Sequence, residues 1–266
     1  MTIEVLMTTM HQKDLSIADR CRIHSNCTMV NQCDREDYEE SVRDYGVVRM
    51  FSNRERGASR SRNLSLKMAT SDICVLSDDD ISYVDGYEEI IRTAYERIPD
   101  ADVIVFNINS LNPDKRPQEK LFRKIKRVPW YKKYGTVHIT FKRERALEKG
   151  LSFDTRFGPG SGMYSMGEDT LFFVGIHRAG LRAYYYPAVI ADVAAETSTW
   201  FKGYNKKYFY DVGALLAASY PTGKHLLKYY YPIRFRKLTK MSAGEIIHLI
   251  NRGIEGFARG EVYKDQ

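Results

Sequence analysis

An α/β fold with a mostly parallel sheet is predicted by three features of this sequence. Apolar runs of strand length recur at positions 3–9, 27–32, 47–51, 73–76 and 101–108. Segments of helical character lie between them, and that alternation builds crossover units and parallel strands. The 73–76 run is apolar throughout, with no Gly or Pro inside, which suits a central strand buried on both faces.

The chain has 266 residues, room for one large domain or a domain with a helical appendage. The pattern divides it into a sheet-bearing domain over 1–203 and a helical, basic-aromatic extension over 204–266. Hydrophobic residues make up 43% and charged residues 28%, the balance of an ordinary globular protein. Residues 1–6 read as a first strand, not as a signal peptide, and no apolar stretch is long enough to span a bilayer. A cytoplasmic location is therefore expected. Cysteines stand at 21, 27, 33 and 74, and His24 lies among the first three. The spacing holds no CxxC pair, so free, reduced thiols are expected, with zinc as the alternative. The net charge of +7 is concentrated in 114–149 and 224–240. Such positive stretches suit nucleic acid, a phosphorylated small molecule or an anionic membrane surface. Charge alone does not choose.

Taken in order, 15–24 reads as a short helical or turn segment, and 35–45 as a surface helix or loop. The segment 56–69 opens at Gly57, with Ser59 as candidate cap, and continues as a helix. Arg60 and Arg62 fall in its first turn, where the helix dipole disfavours cations. They point to a nearby anion, with phosphate the natural candidate and a solvated pair the alternative. Residues 83–98 form a helix with Tyr87, Ile90, Ile91, Ala94 and Tyr95 on one side. The basic stretch 111–134 holds three prolines and reads as an excursion, helical around 120–127. A strand at 137–141 precedes a short helix over 143–149 that Gly150 ends. The loop 151–162 carries three glycines and a proline, and Gly158 to Gly162 reads as a lid or a plain surface turn. Gly167, Glu168 and Asp169 open a helix that stops at Gly180, and 182–193 is a strand. A polar loop with Trp200 leads into the helical, Tyr- and Lys-rich extension.

The organising stretch is 71–81, where the apolar run ends in Asp78, Asp79 and Asp80. Three carboxylates at the end of a buried strand repel one another and lose solvation. Mg²⁺ or Mn²⁺, held by one or two carboxylates with substrate phosphates completing the shell, would remove that cost. An acidic surface turn is the alternative.

These motifs in this order resemble the family 2 glycosyltransferases over residues 1–200. The matching pieces are Gly57 to Asn63, the Asp78 to Asp80 strand end, Phe153-Asp154 before a glycine loop, and Gly167-Glu168-Asp169. The resemblance implies the GT-A fold, a nucleotide-sugar donor and single-displacement transfer with inversion. It places Thr8 and Thr9 beside the nucleotide base and gives Asp34 a hydrogen bond to that base. Here the family's acidic pair followed by Gly and Ser is replaced by Cys33-Asp34-Arg35. It sets Arg62 and Asn63 near the base or pyrophosphate, with Asp78 and Asp79 toward the donor. Either Asp78 and Asp80 form the metal pair, or Ser77 replaces the first acid and leaves Asp79 and Asp80. The ion would be Mn²⁺ or Mg²⁺. Asp169 is the expected catalytic base, with Glu168 beside it. Trp200 is a candidate for stacking on a sugar, against a partly buried aromatic.

The chemistry wants these groups, since a departing diphosphate gathers negative charge and an attacking hydroxyl must lose a proton. The expected product is a cell-surface polysaccharide or glycolipid, made on a glycan or lipid-linked acceptor at the inner face of the cell membrane. The aromatic and basic tail suits an anionic membrane interface, packing onto the main domain, or a homodimer contact. A nucleotidyltransferase would carry a glycine-rich loop after the first strand, and none is present. A nucleic-acid-binding module is opposed by the acid clusters, so no nucleic-acid partner is expected. An inactive partner subunit is opposed by the retained Asp80 and Asp169.

Overall fold

Along the buried strands successive side chains enter two different cores. Val5, Met7, Ile73 and Val75 join one, and Leu6, Cys74 and Leu76 join the other. A sheet that is apolar on both faces needs helices on each. The structure, a computed structural model, describes residues 1–110, 121–194 and 201–264. The first half contains β1 (Ile3–Met10), α1 (Ile17–Arg20), β2 (Asn26–Gln32), β3 (Asp37–Arg43), β4 (Gly46–Asn53), α2 (Ala58–Met68), β5 (Ile73–Asp78) and β6 (Ile81–Tyr83). Then come α3 (Tyr87–Arg97), β7 (Val103–Ser110), β8 (Lys126–Arg127), β9 (Ile139–Lys142), α4 (Arg143–Glu148), α5 (Glu168–Arg178) and β10 (Ala183–Val193). The chain closes with α6 (Lys206–Ser219), α7 (Lys224–Leu227), α8 (Tyr230–Phe235) and α9 (Ala243–Arg259).

Among the described residues one sheet runs in the order β3-β4-β2-β1-β5-β9-β7-β10-β6, with β8 paired to β10. Strands β4, β2, β1 and β5 pair in parallel, as do β7 and β10. The antiparallel β9 is wedged between β5 and β7. The parallel strands thus share one carboxyl edge, where ligand sites of open α/β sheets gather. Helix α3 covers the first core with Tyr87, Ile91, Ala94 and Tyr95, as its periodicity predicts. Helix α5 seals the second with Phe172, Phe173 and Ile176.

Several expectations need correction. The polar segment 35–45 is no helix or loop but the edge strand β3, hydrogen-bonded antiparallel to β4. An edge strand half in solvent buries little and so lacks an apolar signature; its pairing partner decides it. Tyr83 belongs to β6, not to the following helix, and anchors β6 on the end of β10. Lys126 and Arg127 pair with Tyr185 and Tyr184 as strand β8 instead of a helix. Residues 121–125 of that expected helix are not helical either; residue 120 and the proline-bearing stretch before it lie outside the described residues. The four cysteines are free and buried.

The extension packs on the sheet domain. Helices α6 and α9 cross at their glycines, so closely that a Cβ on Gly253 would lie 1.9 Å from the Tyr210 carbonyl oxygen. Buried Asp211 of α6 accepts from Ser165 N (2.9 Å), Ser165 Oγ (2.7 Å) and Lys207 Nζ (2.6 Å). Phe157 and Tyr164 share a core with Tyr210 and Ala214. Ser242 and Glu245 close the start of α9 with a reciprocal capping box.

Candidate active site

Two buried ionic clusters sit at opposite ends of the parallel strands, and they differ in a telling way. At the amino end, Glu4 accepts from Thr28 Oγ1 (2.6 Å), Thr70 N (2.8 Å), Ser71 N (2.9 Å) and Arg49 (3.0 Å). Burial opposes ionisation there, yet these hydrogen bonds hold its carboxyl below the ordinary range. That cluster is saturated and structural.

At the carboxyl end the balance reverses. Arg62, 5% exposed, donates to Asp78 Oδ1 at 2.8 Å, Glu168 Oε1 at 3.3 Å and Asp169 Oδ1 at 3.4 Å. Its guanidinium lies 5.5 Å over the Phe153 ring, which stacks on Phe172 at 4.1 Å. One cation thus faces three carboxylates. Burial, then the adjacent Asp169, push the Glu168 carboxyl up to about 7 against the pull of Arg62. Burial and the charge of Asp78 also raise Asp169, with Arg62 opposing. The Thr136 backbone also opposes that rise. Asp169 keeps about a third of its side chain open to solvent, whereas Glu168 is nearly closed off. A carboxylate held near neutrality beside an accessible one is a proton-handling arrangement.

The expected anion beside Arg62 is therefore a set of carboxylates of this chain, and Arg60 pairs with Glu55. Arg62 is the fifth residue of α2, just past its first turn, and its burial is tolerated because three acids surround it. Ser59 is not the cap. Its hydroxyl donates to the Phe157 carbonyl at 2.8 Å, and the Ala58 N–H donates to Pro159 O at 3.0 Å. These bonds tie the glycine loop to the start of α2 at Phe157 and Pro159. Gly158, at φ +101°, lies so near Glu168 that a Cβ would come within 2.9 Å of its Cδ. Gly167, at φ +103°, turns the chain into α5 and lets Leu215 of α6 close against it.

The remaining predicted residues fall into three groups. Thr8 is in register with Asp78 across β1 and β5, and its buried hydroxyl has no hydrogen-bond partner among the described residues. Thr9 donates to Asp79 at 2.6 Å and accepts from Gln12 at 3.0 Å. Asn63 is occupied, since its amide exchanges hydrogen bonds of 2.9 and 2.8 Å with the Phe153 backbone. Asp34 is exposed and pairs with Arg56 at 2.6 Å. Trp200 lies outside the described residues. Sequence reasoning passed over Thr136, Phe153 and Gly158 as site members, since each contributes only backbone, ring face or absence of a side chain.

The three aspartates do not converge. Asp78 turns inward to Arg62, Asp79 takes the Thr9 hydroxyl, and Asp80 lies exposed on the turn into β6, its carbonyl bonded by Ala194 N–H at 2.9 Å. Among the described residues no group of three or more His, Cys, Asp or Glu side chains is disposed to hold an ion. A cage made wholly of protein ligands is thus absent from them, for zinc as for the aspartates. Asp79 and Asp80 suit the other arrangement, an ion held by one or two carboxylates and a diphosphate. Beyond the acid pair a cleft of about 260 Å³ opens, lined by Glu168, Asp169, Tyr208, Val212, Leu215 and Tyr231. The helical extension supplies its far wall.

A mostly parallel sheet flanked by helices, with acids at its carboxyl edge, is consistent with the GT-A fold. The profile of glycosyl transferase family 2 matches residues 16–163, more than half of the chain. The chain belongs to that family and is a glycosyltransferase. Among solved structures it is similar to Staphylococcus aureus TarS 1–349 in complex with UDP-GlcNAc, with a TM-score of 0.63 and 12% identity over 99% of this chain and 93% of that one. The UDP complex of the same protein gives a TM-score of 0.64 at 12% identity and the same coverage. The longer TarS structure matches over 90% of this chain and 44% of its own length. At that identity the likeness shows the fold. No curated protein matches the chain.

Proposed function

We propose that this chain is an inverting, metal-dependent glycosyltransferase. It moves a sugar from a nucleoside-diphosphate donor, a UDP-sugar by preference, to a hydroxyl of a glycan or lipid-linked acceptor in cell-surface polysaccharide synthesis. The observation that carries this reading is Arg62, which ties the strand-end Asp78 to the helix-opening Glu168 and Asp169. Acid groups far apart in sequence thereby share one site at the carboxyl edge. The complexes of TarS with UDP and UDP-GlcNAc support a uridine donor.

The donor diphosphate would lie over the turn of Asp79 and Asp80, with the base toward Thr8 and Thr9. Mn²⁺ or Mg²⁺ held by Asp79 and Asp80 would neutralise the charge that gathers on the leaving diphosphate. The acceptor enters from the cleft beyond α5, and Asp169 takes the proton of its hydroxyl as the oxygen attacks the anomeric carbon. The bond to the diphosphate oxygen breaks on the opposite side, so the configuration inverts. Glu168, held near neutrality behind Asp169, shares the incoming proton, and Arg62 keeps both acids aimed.

Thermal denaturation with a panel of nucleotides and nucleotide sugars, with and without Mn²⁺, tests this reading. A metal-dependent rise in Tm with a UDP compound, lost in Asp80→Ala, is expected. Asp169→Asn should keep that shift while turnover drops by about 10²- to 10⁴-fold. No shift with any nucleotide would sink the proposal.

A further inference from the structure

Apolar and aromatic side chains in the extension divide into two sets. Tyr208, Phe209, Tyr231 and Phe235 turn inward and pack with α9 around one core. Leu226, Tyr229, Tyr230 and Ile233 do the opposite. They are spaced i, i+3, i+4 and i+7, and the backbone from α7 through α8 stays right-handed helical across Lys228 and Tyr229. The four therefore form one stripe, and it faces solvent: Leu226 is 78% exposed and Ile233 75%. An apolar stripe at helical spacing ordinarily marks the buried face. Here the buried face is already supplied by Tyr231 and Phe235.

The surroundings say what suits it. Residues 224–240 carry six Lys and Arg and no acid, and residues 121–133 carry another six and no acid. Tertiary structure brings the two together. Lys133 sits 5.5 Å over the Tyr220 ring, and the Tyr220 carbonyl accepts the Lys224 N–H at 2.9 Å. Trp130 and Tyr131, exposed at 69% and 59%, extend the same basic region. Tyr231, on the inner side of α8, lines the cleft that holds Glu168 and Asp169.

We propose that the outward face of α7 and α8, with the 130–133 loop, docks this glycosyltransferase on an anionic lipid bilayer. Leucine, isoleucine, tyrosine and tryptophan with a basic surround suit the headgroup boundary, where apolar tips enter the acyl region and cations meet phosphate. A polyanionic glycan would match the charge but gives Leu226 and Ile233 nothing to bury against. A second copy of the chain would bring like charges together. The inference rests on the proposed reading only in taking the cleft beside the face as the acceptor entrance, and it is tested without turnover.

The test is sedimentation of the full chain with vesicles of phosphatidylcholine alone and of an equal mixture with phosphatidylglycerol. Binding at least about tenfold stronger to the mixed vesicles, weakened by salt, is expected. Leu226→Asp with Ile233→Asp should abolish it while the melting temperature and the UDP-dependent shift stay unchanged. Equal or absent binding to both vesicles overturns the proposal. So does binding that survives the double aspartate variant but is lost in Arg234→Gln with Lys237→Gln, the mark of a plain polyanion surface. A self-association seen by sedimentation velocity and removed by the same aspartates would assign the face to a second copy and overturn it as well.

Discussion

Glu168 binds its proton more tightly in the folded chain than in the unfolded one, because it is buried and faces Asp169. Between the ordinary glutamate range and about 7 the folded state therefore holds more protons. Stability falls as pH rises through that window and levels off above it. Glu168→Gln removes the titrating group, and its amide oxygen can still accept from Arg62. The variant should be more stable than the parent by about 1–3 kcal/mol at about pH 8, with little difference at about pH 5. Thermal denaturation at the two pH values reads this directly, and a parallel decline in both proteins would show that Glu168 is not the group responsible. Arg62 shows why such a residue is hard to assign from sequence. As one of two arginines in a polar helix start, it suggests a bound phosphate. Only the fold brings it to Glu168 and Asp169, over a hundred residues further on, so that its anions are the protein's own.

At the level of elements, the crossing of α6 and α9 decides where the far wall of the cleft stands. Helix α9 contains three glycines in different settings. Gly253 sits where a Cβ would meet the Tyr210 carbonyl oxygen, which is backbone and cannot swing aside. Gly244 has nothing within 4 Å. Gly253→Ala should therefore destabilise by at least about 2 kcal/mol, as overpacking does. Gly244→Ala should be neutral or stabilising by about 0.5 kcal/mol through the unfolded chain. Urea midpoints of the two variants check the pair, and equal midpoints would mean that the helices yield freely at the crossing. Legibility follows the same division. Strands β1, β2, β5 and β7 and helices α3 and α5 carry apolar periods and were visible. Strand β3 was not, because half of it faces water and its partner is the neighbouring strand.

For the molecule as a whole, the extension is bound to the sheet domain by more than a linker. Phe157 and Tyr164 are fully buried, and their core is shared with Tyr210, Ala214 and Phe257. The Tyr164 hydroxyl donates to Glu261 O at 3.0 Å, and Arg156 lies 4.6 Å over the Phe257 ring. The expected division at 203/204 is thus crossed by a shared core. A chain stopped after residue 203 would expose this apolar surface and leave Ser165 without Asp211. It should fail to give a cooperative melt and should bind a hydrophobic dye. A soluble, cooperatively melting fragment 1–203 would contradict that expectation.

The sequence by itself determined the α/β class, the central position of the 73–76 strand and the two acid clusters with their helix and strand settings. Those are local patterns: an apolar period, a run of carboxylates, a glycine before a helix. The tertiary structure alone decided that Arg62 joins the clusters, that Asp78 turns inward while Asp80 stays outside, and that the glycine loop is tied to the start of α2. It alone decided which tail aromatics are core and which face solvent. Contacts between residues far apart in the chain leave no period in either partner, so only the folded arrangement can supply them.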